Sequence, residues 1–144
     1  MNPKDKIVLP PNFILPSQQL GQLDEKVAKE YLHFLVKNMH DAFIIIDRNL
    51  SIILMNDMAI TMARDFLNLP IQIGMSILDL ASPERYETLK ILYQSVFKGS
   101  SFETESNFKV SGKDKFYLNN FTQIYNQEND IVAALVVSIN ITEK

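Results

Sequence analysis

The stretch Asp41–Asn56, DAFIIIDRNLSIILMN, constrains what this chain can fold into more than any other. A β-branched and aromatic run, Ala42 to Ile46, closes on Asp47. Arg48-Asn49 carries turn chemistry, and a second apolar run, Ser51 to Met55, closes on Asn56. The spacing predicts a hairpin. Directly afterwards the pattern turns helical in DMAITMARDFL, with Asn56 or Asp57 placed to cap a helix and Pro70 placed to stop it.

The rest of the chain divides around that hairpin. Residues 1–20 read as an extended arm, because Pro10, Pro11 and Pro16 forbid regular helix, while Phe13, Ile14 and Leu15 offer a docking edge. A helix is predicted over 21–40, with Asp24 and Glu25 suited to its first turn. After a short linking segment, IGMSILDL, the run Ser82-Pro83-Glu84 is a helix start: a cap, a proline at the first position and an acid in the first turn. Tyr86, Leu89, Leu92, Tyr93 and Val96 then recur at helical spacing until Gly99. Three strands close the chain. Phe102, Thr104, Ser106, Phe108 and Val110 alternate with Glu103, Glu105, Asn107 and Lys109, a period of two. Ser111 to Asp114 is a turn, Phe116 to Tyr125 a strand, Asn126 to Asp130 a turn, and Ile131 to Ile141 the last strand. The order helix, two strands, helices, three strands predicts an α+β fold with an antiparallel sheet.

Composition narrows the function classes. With 144 residues the chain fits one domain with a proper core. A net charge of −3 argues against nucleic acid or an anionic membrane as partner. The absence of cysteine removes disulfides, thiolate chemistry and cysteine-ligated metals. The longest apolar stretch, Ile131 to Val137, is too short to span a bilayer, and no secretion signal opens the chain, so a cytoplasmic location is expected.

With these elements in place, residues 41–144 resemble a PAS domain, the sensory module of bacterial signalling proteins. The resemblance rests on Asp47 and Asn56 at the two strand ends and on the small residues Ala59 and Ala63 after that Asn. It rests also on Gly74-Met-Ser76-Ile-Leu-Asp-Leu80 and the closing Asn140-Ile141-Thr142-Glu143-Lys144. Departures are Asn140 for the usual Asp, Asn129-Asp130 for Asp-Gly, and Phe116-Tyr117 for a Trp at the strand start. The resemblance implies a five-stranded antiparallel sheet with helices on one face, here preceded by the 21–40 helix. It implies a sensor or dimerisation domain, the input region of a histidine kinase or similar two-component protein, with an output domain after Lys144. Such domains hold ligands between sheet and helices. The matching positions are Ile44, Met55, Ala59, Met62, Phe66, Leu78, Leu92 and Val96, with Asn120 or Thr122 as polar contacts if their strand face points inward. A filled core is the plainer reading of those apolar positions.

Catalytic and metal readings find little support. Asp47 and Asn56 read as caps of turn and helix, and Gly74 as a structural position. His33 and His40 lie seven residues apart on one helix. That separates them by about 10 Å along the axis, too far for one metal ion. Glu103 and Glu105 share the solvated face of a strand. No cofactor is expected. Residues 83–98 hold no histidine, so the axial haem ligand common in haem-binding relatives is lacking, and a cysteine-linked flavin is excluded. A noncovalent flavin or another small molecule stays open. A runner-up is a small α+β enzyme of the ketosteroid-isomerase kind, which needs a buried acid, such as Asp47, in a cavity beside a tyrosine.

The helix at 21–40 carries more apolar surface than one core requires. Leu23, Val27, Tyr31 and Phe34 form one stripe, and Leu32, Leu35, Val36 and Met39 a second. Together they span about 220°, whereas one packing face needs little more than about 100°. The first stripe packs on the chain's own sheet or arm, or it meets the same helix of another subunit. A homodimer through this helix is the expectation.

Overall fold

The structure, a computed structural model, describes residues 7–8 and 40–142. Except for His40, the predicted helix over 21–40, with Leu23, Val27, Tyr31, Phe34 and His33, lies outside the described residues, as does most of the arm.

The described elements are strands β1 (Ile7–Val8), β2 (Ala42–Asp47) and β3 (Ile52–Met55) and helix α1 (Asp57–Leu67). A 3₁₀ turn (Ile77–Leu80), helix α2 (Tyr86–Phe97) and strands β4 (Phe102–Val110), β5 (Lys113–Tyr125) and β6 (Ile131–Asn140) follow. Five strands form the expected antiparallel sheet, with β4 beside β5, then β6, β2 and β3. One strand was not expected. β1 runs parallel to β5, pairing Ile7 with Ile124 and Val8 with Tyr125. β5 is long enough to take β4 along residues 113–121 and β1 beyond it on the same edge.

The hairpin that anchors the reading folds as its residues dictate. Leu50 takes φ 64°, and the Asp47 carboxylate accepts from the amides of Asn49 (2.9 Å) and Ser51 (3.0 Å). Asn56 is the N-cap of α1. Its Oδ1 accepts from Ala59 N at 3.0 Å and from Phe43 N at 3.1 Å, and its Nδ2 donates to Asp41 O at 2.7 Å. One buried side chain thus ties the start of α1 to the start of β2.

Three boundaries move. α2 starts at Tyr86, because Ser82–Arg85 closes as a separate turn, with Arg85 N bonded to Ser82 O at 3.0 Å. The β4–β5 turn is only Ser111-Gly112, both at positive φ (52° and 79°), the backbone twist that favours two-residue hairpins. β5 therefore begins at Lys113 rather than Phe116. β6 ends at Asn140 rather than Ile141.

The core lies between the sheet and the helices. Ile46, Ile52 and Val96 are fully buried there, with Phe97, Phe121 and Ala134 around them. Each fully buried aliphatic side chain stabilises by about 1.5–3 kcal/mol relative to exposure. β4 alternates half-buried and exposed along its whole length, as its sequence period requires. No helix among the described residues is long and apolar enough to cross a membrane.

Candidate functional site

Between α1 and the sheet lies a cavity of about 160 Å³. Ala59, Met62, Ala63 and Leu67 of α1 form its roof. Ala42, Ile44, Phe121 and Val136 form much of its floor, and Ile77, Leu80, Tyr93 and Phe108 its sides. The space exists because α1 presents alanines to the sheet one turn apart, where larger side chains would close the gap.

The floor is not wholly apolar. Strand pairing sets Ala42 opposite Ser138, Ser138 opposite Asn119, and Asn119 opposite Thr104, so one rung across four strands carries three polar side chains. Asn119 is the hub. Its Oδ1 accepts from Ser138 Oγ at 2.7 Å, and its Nδ2 donates to Ser106 Oγ at 2.7 Å and Thr104 Oγ1 at 3.3 Å. Ser106, Asn119 and Ser138 all line the cavity. The next rung, Ile44, Val136, Phe121 and Phe102, is apolar.

Tyr93 comes from α2 and is buried against Phe121, edge to face with ring centroids 5.7 Å apart. Its hydroxyl makes no hydrogen bond to any described residue. Burial pushes its pKa well above the ordinary phenol value, the Arg85 charge acting weakly the other way.

The structure distributes the expected pocket positions unevenly. Ile44, Ala59 and Met62 line the cavity. Leu78 and Val96 sit inside the main core, and Met55 and Leu92 pack against it. Phe66 stacks on Phe108 (4.8 Å between centroids) and tilts against Tyr117 (5.6 Å). Asn120 and Thr122 need correcting. Alternation along β5 turns Asn119, Phe121 and Gln123 toward the helices, so Asn120 and Thr122 face the other side of the sheet. Asn119, Ser138 and Ser106 line the cavity without having been among the expected positions. The signal was present in β4, where Thr104 and Ser106 interrupt the register of Phe102 and Phe108.

Asp47 is buried but belongs to the hairpin turn and does not line the cavity. The acid-beside-tyrosine arrangement required by the isomerase reading is not formed there. Gly74 takes φ 94° with open space where a Cβ would stand, so its role is conformational. No group of three or more potential metal ligands exists among the described residues.

No family model and no curated protein matches this sequence. Solved structures do match. The PAS domain of a Colwellia psychrerythraea protein superposes with TM-score 0.59 at 19% identity, covering 81% of this chain and 98% of that one. The PAS domain of Bordetella pertussis BvgS gives TM-score 0.63 at 13% identity, covering 84% and 90%. A sensory box sensor histidine kinase from Vibrio cholerae gives 0.52 at 16% identity, covering 83% and 96%. With its hairpin, helical layer and antiparallel sheet in this order, the chain has the PAS fold.

Proposed function

We propose that this chain is a sensory input domain that holds a small molecule between α1 and the sheet and passes occupancy to its flanking segments. The observation that carries the reading is the hydrogen-bonded set Ser106, Asn119 and Ser138 on the floor of a mostly apolar cavity. Concave, mostly apolar sites with a few convergent polar groups are the usual form of ligand pockets. β6 also supplies a route outward. Ser138 stands at the cavity, and four residues on, Thr142 Oγ1 accepts from Phe116 N at 2.9 Å beside the bond from Ile141 N to Phe116 O, also 2.9 Å. A shift of β6 at Ser138 would be felt at that clasp.

The sensor histidine kinase among the structural neighbours fits a parent protein with an output domain and a domain of this kind that does no chemistry itself. A homodimer through the 21–40 helix and a cytoplasmic location belong to the same reading. The cavity is also far smaller than a flavin or haem needs, with typical ligand pockets at about 300–1,000 Å³. The test is a fragment screen by thermal shift, followed by hydrogen exchange of the complex. The expected result is a stabilising ligand that raises protection at Ser138 and alters it at Ile141–Thr142. A ligand that protects the cavity and leaves the exit segment unchanged would overturn the signalling half of the proposal.

A further inference from the structure

The hydrogen-bond inventory of the cavity floor restricts what can lie on it. Asn119 spends both amide hydrogens on Thr104 and Ser106, whose hydroxyls therefore act as acceptors toward it and keep their own O–H to donate. Ser138 spends its O–H on Asn119 Oδ1 and keeps lone pairs to accept. Ser106 and Ser138, on opposite sides of Asn119, thus present one donor and one acceptor to the cavity. Tyr93 also lines the cavity, and its hydroxyl has no protein partner among the described residues. The roof is apolar, and among the described residues no Asp, Glu, Lys, Arg or His lines the space. A charged ligand would give up its hydration with no counter-charge to replace it.

Volume sets the size. A cavity of about 150 Å³ accommodates benzene, and this one is about 160 Å³. We infer that the site takes a compact uncharged ring compound carrying a hydrogen-bond donor and acceptor side by side on one edge, that edge lying on Ser106 and Ser138 and the ring face lying under α1. A primary aromatic amide is the simplest member of the class. This rests on the reading of the cavity as a receptor site and narrows it.

The test titrates the whole chain with benzamide, toluene and benzoate, observed through its own amide resonances. Benzamide is expected to bind and to move the Asn119 and Ser138 signals first. Toluene, with the same ring but no polar edge, is expected to bind at least tenfold more weakly, and benzoate not at all where benzamide half-saturates. Asn119→Leu should weaken benzamide at least tenfold and leave toluene unchanged or improved, a split that a merely structural defect would not produce. Ser138→Ala, which keeps the hub, should weaken benzamide severalfold with toluene unmoved and stands in if Asn119→Leu does not fold. Toluene binding as tightly as benzamide would overturn the polar edge, and benzoate doing so would overturn the neutrality. Benzamide shifts confined to residues outside the cavity, or no binding by the three, would overturn the ligand class. The receptor reading itself falls only if a chemically broad fragment set also leaves the cavity resonances unmoved.

Discussion

Gln123 of β5 holds the end of α2 onto the sheet. Its Nε2 donates to Val96 O at 2.9 Å and to Ser100 O at 2.7 Å, and its Oε1 accepts from Ser101 Oγ at 3.1 Å. It is 1% exposed and fully satisfied. The last carbonyls of a helix have no partner within it, and here a strand side chain supplies one.

Gln123→Leu keeps the bulk but takes the partner from Ser100 O and Ser101 Oγ, while Val96 O keeps the amide of Gly99 at 3.0 Å. A buried polar group left without its partner costs about 1–3 kcal/mol. The urea midpoint should fall accordingly, and amide exchange should quicken at Phe97–Ser101 before the rest of the domain. A midpoint equal to that of the parent would show that water satisfies the helix end equally well.

Asn56→Ala removes three hydrogen bonds at once. Losing an N-cap costs about 0.5–2 kcal/mol, and here Phe43 N and Asp41 O lose partners as well. The expected destabilisation is at least about 2 kcal/mol by equilibrium denaturation, combining the cap with the stranded buried donor. Asn56→Asp, which keeps the acceptor and loses only the donor to Asp41, should fall between the two.

Two alanines separate a cavity from a packed core. Ala134 is 1% exposed inside the main core, where an added side chain should cost about 1–3 kcal/mol through overpacking. Ala59 is nearly as buried but borders the cavity. Ala134→Leu should lower the melting temperature clearly, and Ala59→Leu much less. Equal losses would mean that α1 cannot let a side chain into the space.

Tyr93 sets a limit at high pH. In the unfolded chain its phenol ionises near 10.0, and burial raises that value in the folded state. The folded form then holds a proton that the unfolded form has released. Stability is thus undiminished below about pH 10 and falls as pH rises above it, by at most about 1.4 kcal/mol per pH unit for one group. Tyr93→Phe should flatten the stability profile between about pH 10 and pH 12. An unchanged slope would mean that the phenol titrates freely in the folded state.

Assembly is testable through residues 21–40. Burying four large apolar side chains contributes about 1.5–3 kcal/mol each before the cost of association, enough for a micromolar dimer. Light scattering should show a dimer, and Val27→Glu with Tyr31→Glu should make it monomeric. Deleting residues 1–19 should leave the dimer intact. Increased association after that deletion would instead identify the arm as the cover of the stripe.

Much of the fold was legible because it depends on local chemistry. The turn at Asp47–Ser51, the Asn56 cap, the helical spacing of Tyr86 to Val96 and the alternation of β4 each follow from neighbouring residues acting through the backbone. The site was legible in outline only. Ala59 and Met62 lie on the helix face that period 3.6 turns inward, so they could be named in advance.

Asn119 could not be distinguished from Asn120 in the same way, because a strand's period of two names two faces and does not say which is covered. The pairing of β5 with β4 and β6 decided that, and with it the polar rung. Shape was decided at the same level: two alanines on α1 leave space only if no side chain from the sheet or α2 reaches across. The sequence by itself determined the order of the main elements, the Asp47 turn and the Asn56 cap, since these are properties of adjacent residues, but not β1 or the start of α2, where Ser82–Arg85 closes as its own turn. Tertiary structure alone decided which face of β5 looks inward and where the core stays open, since both depend on residues far apart in the chain meeting in one place.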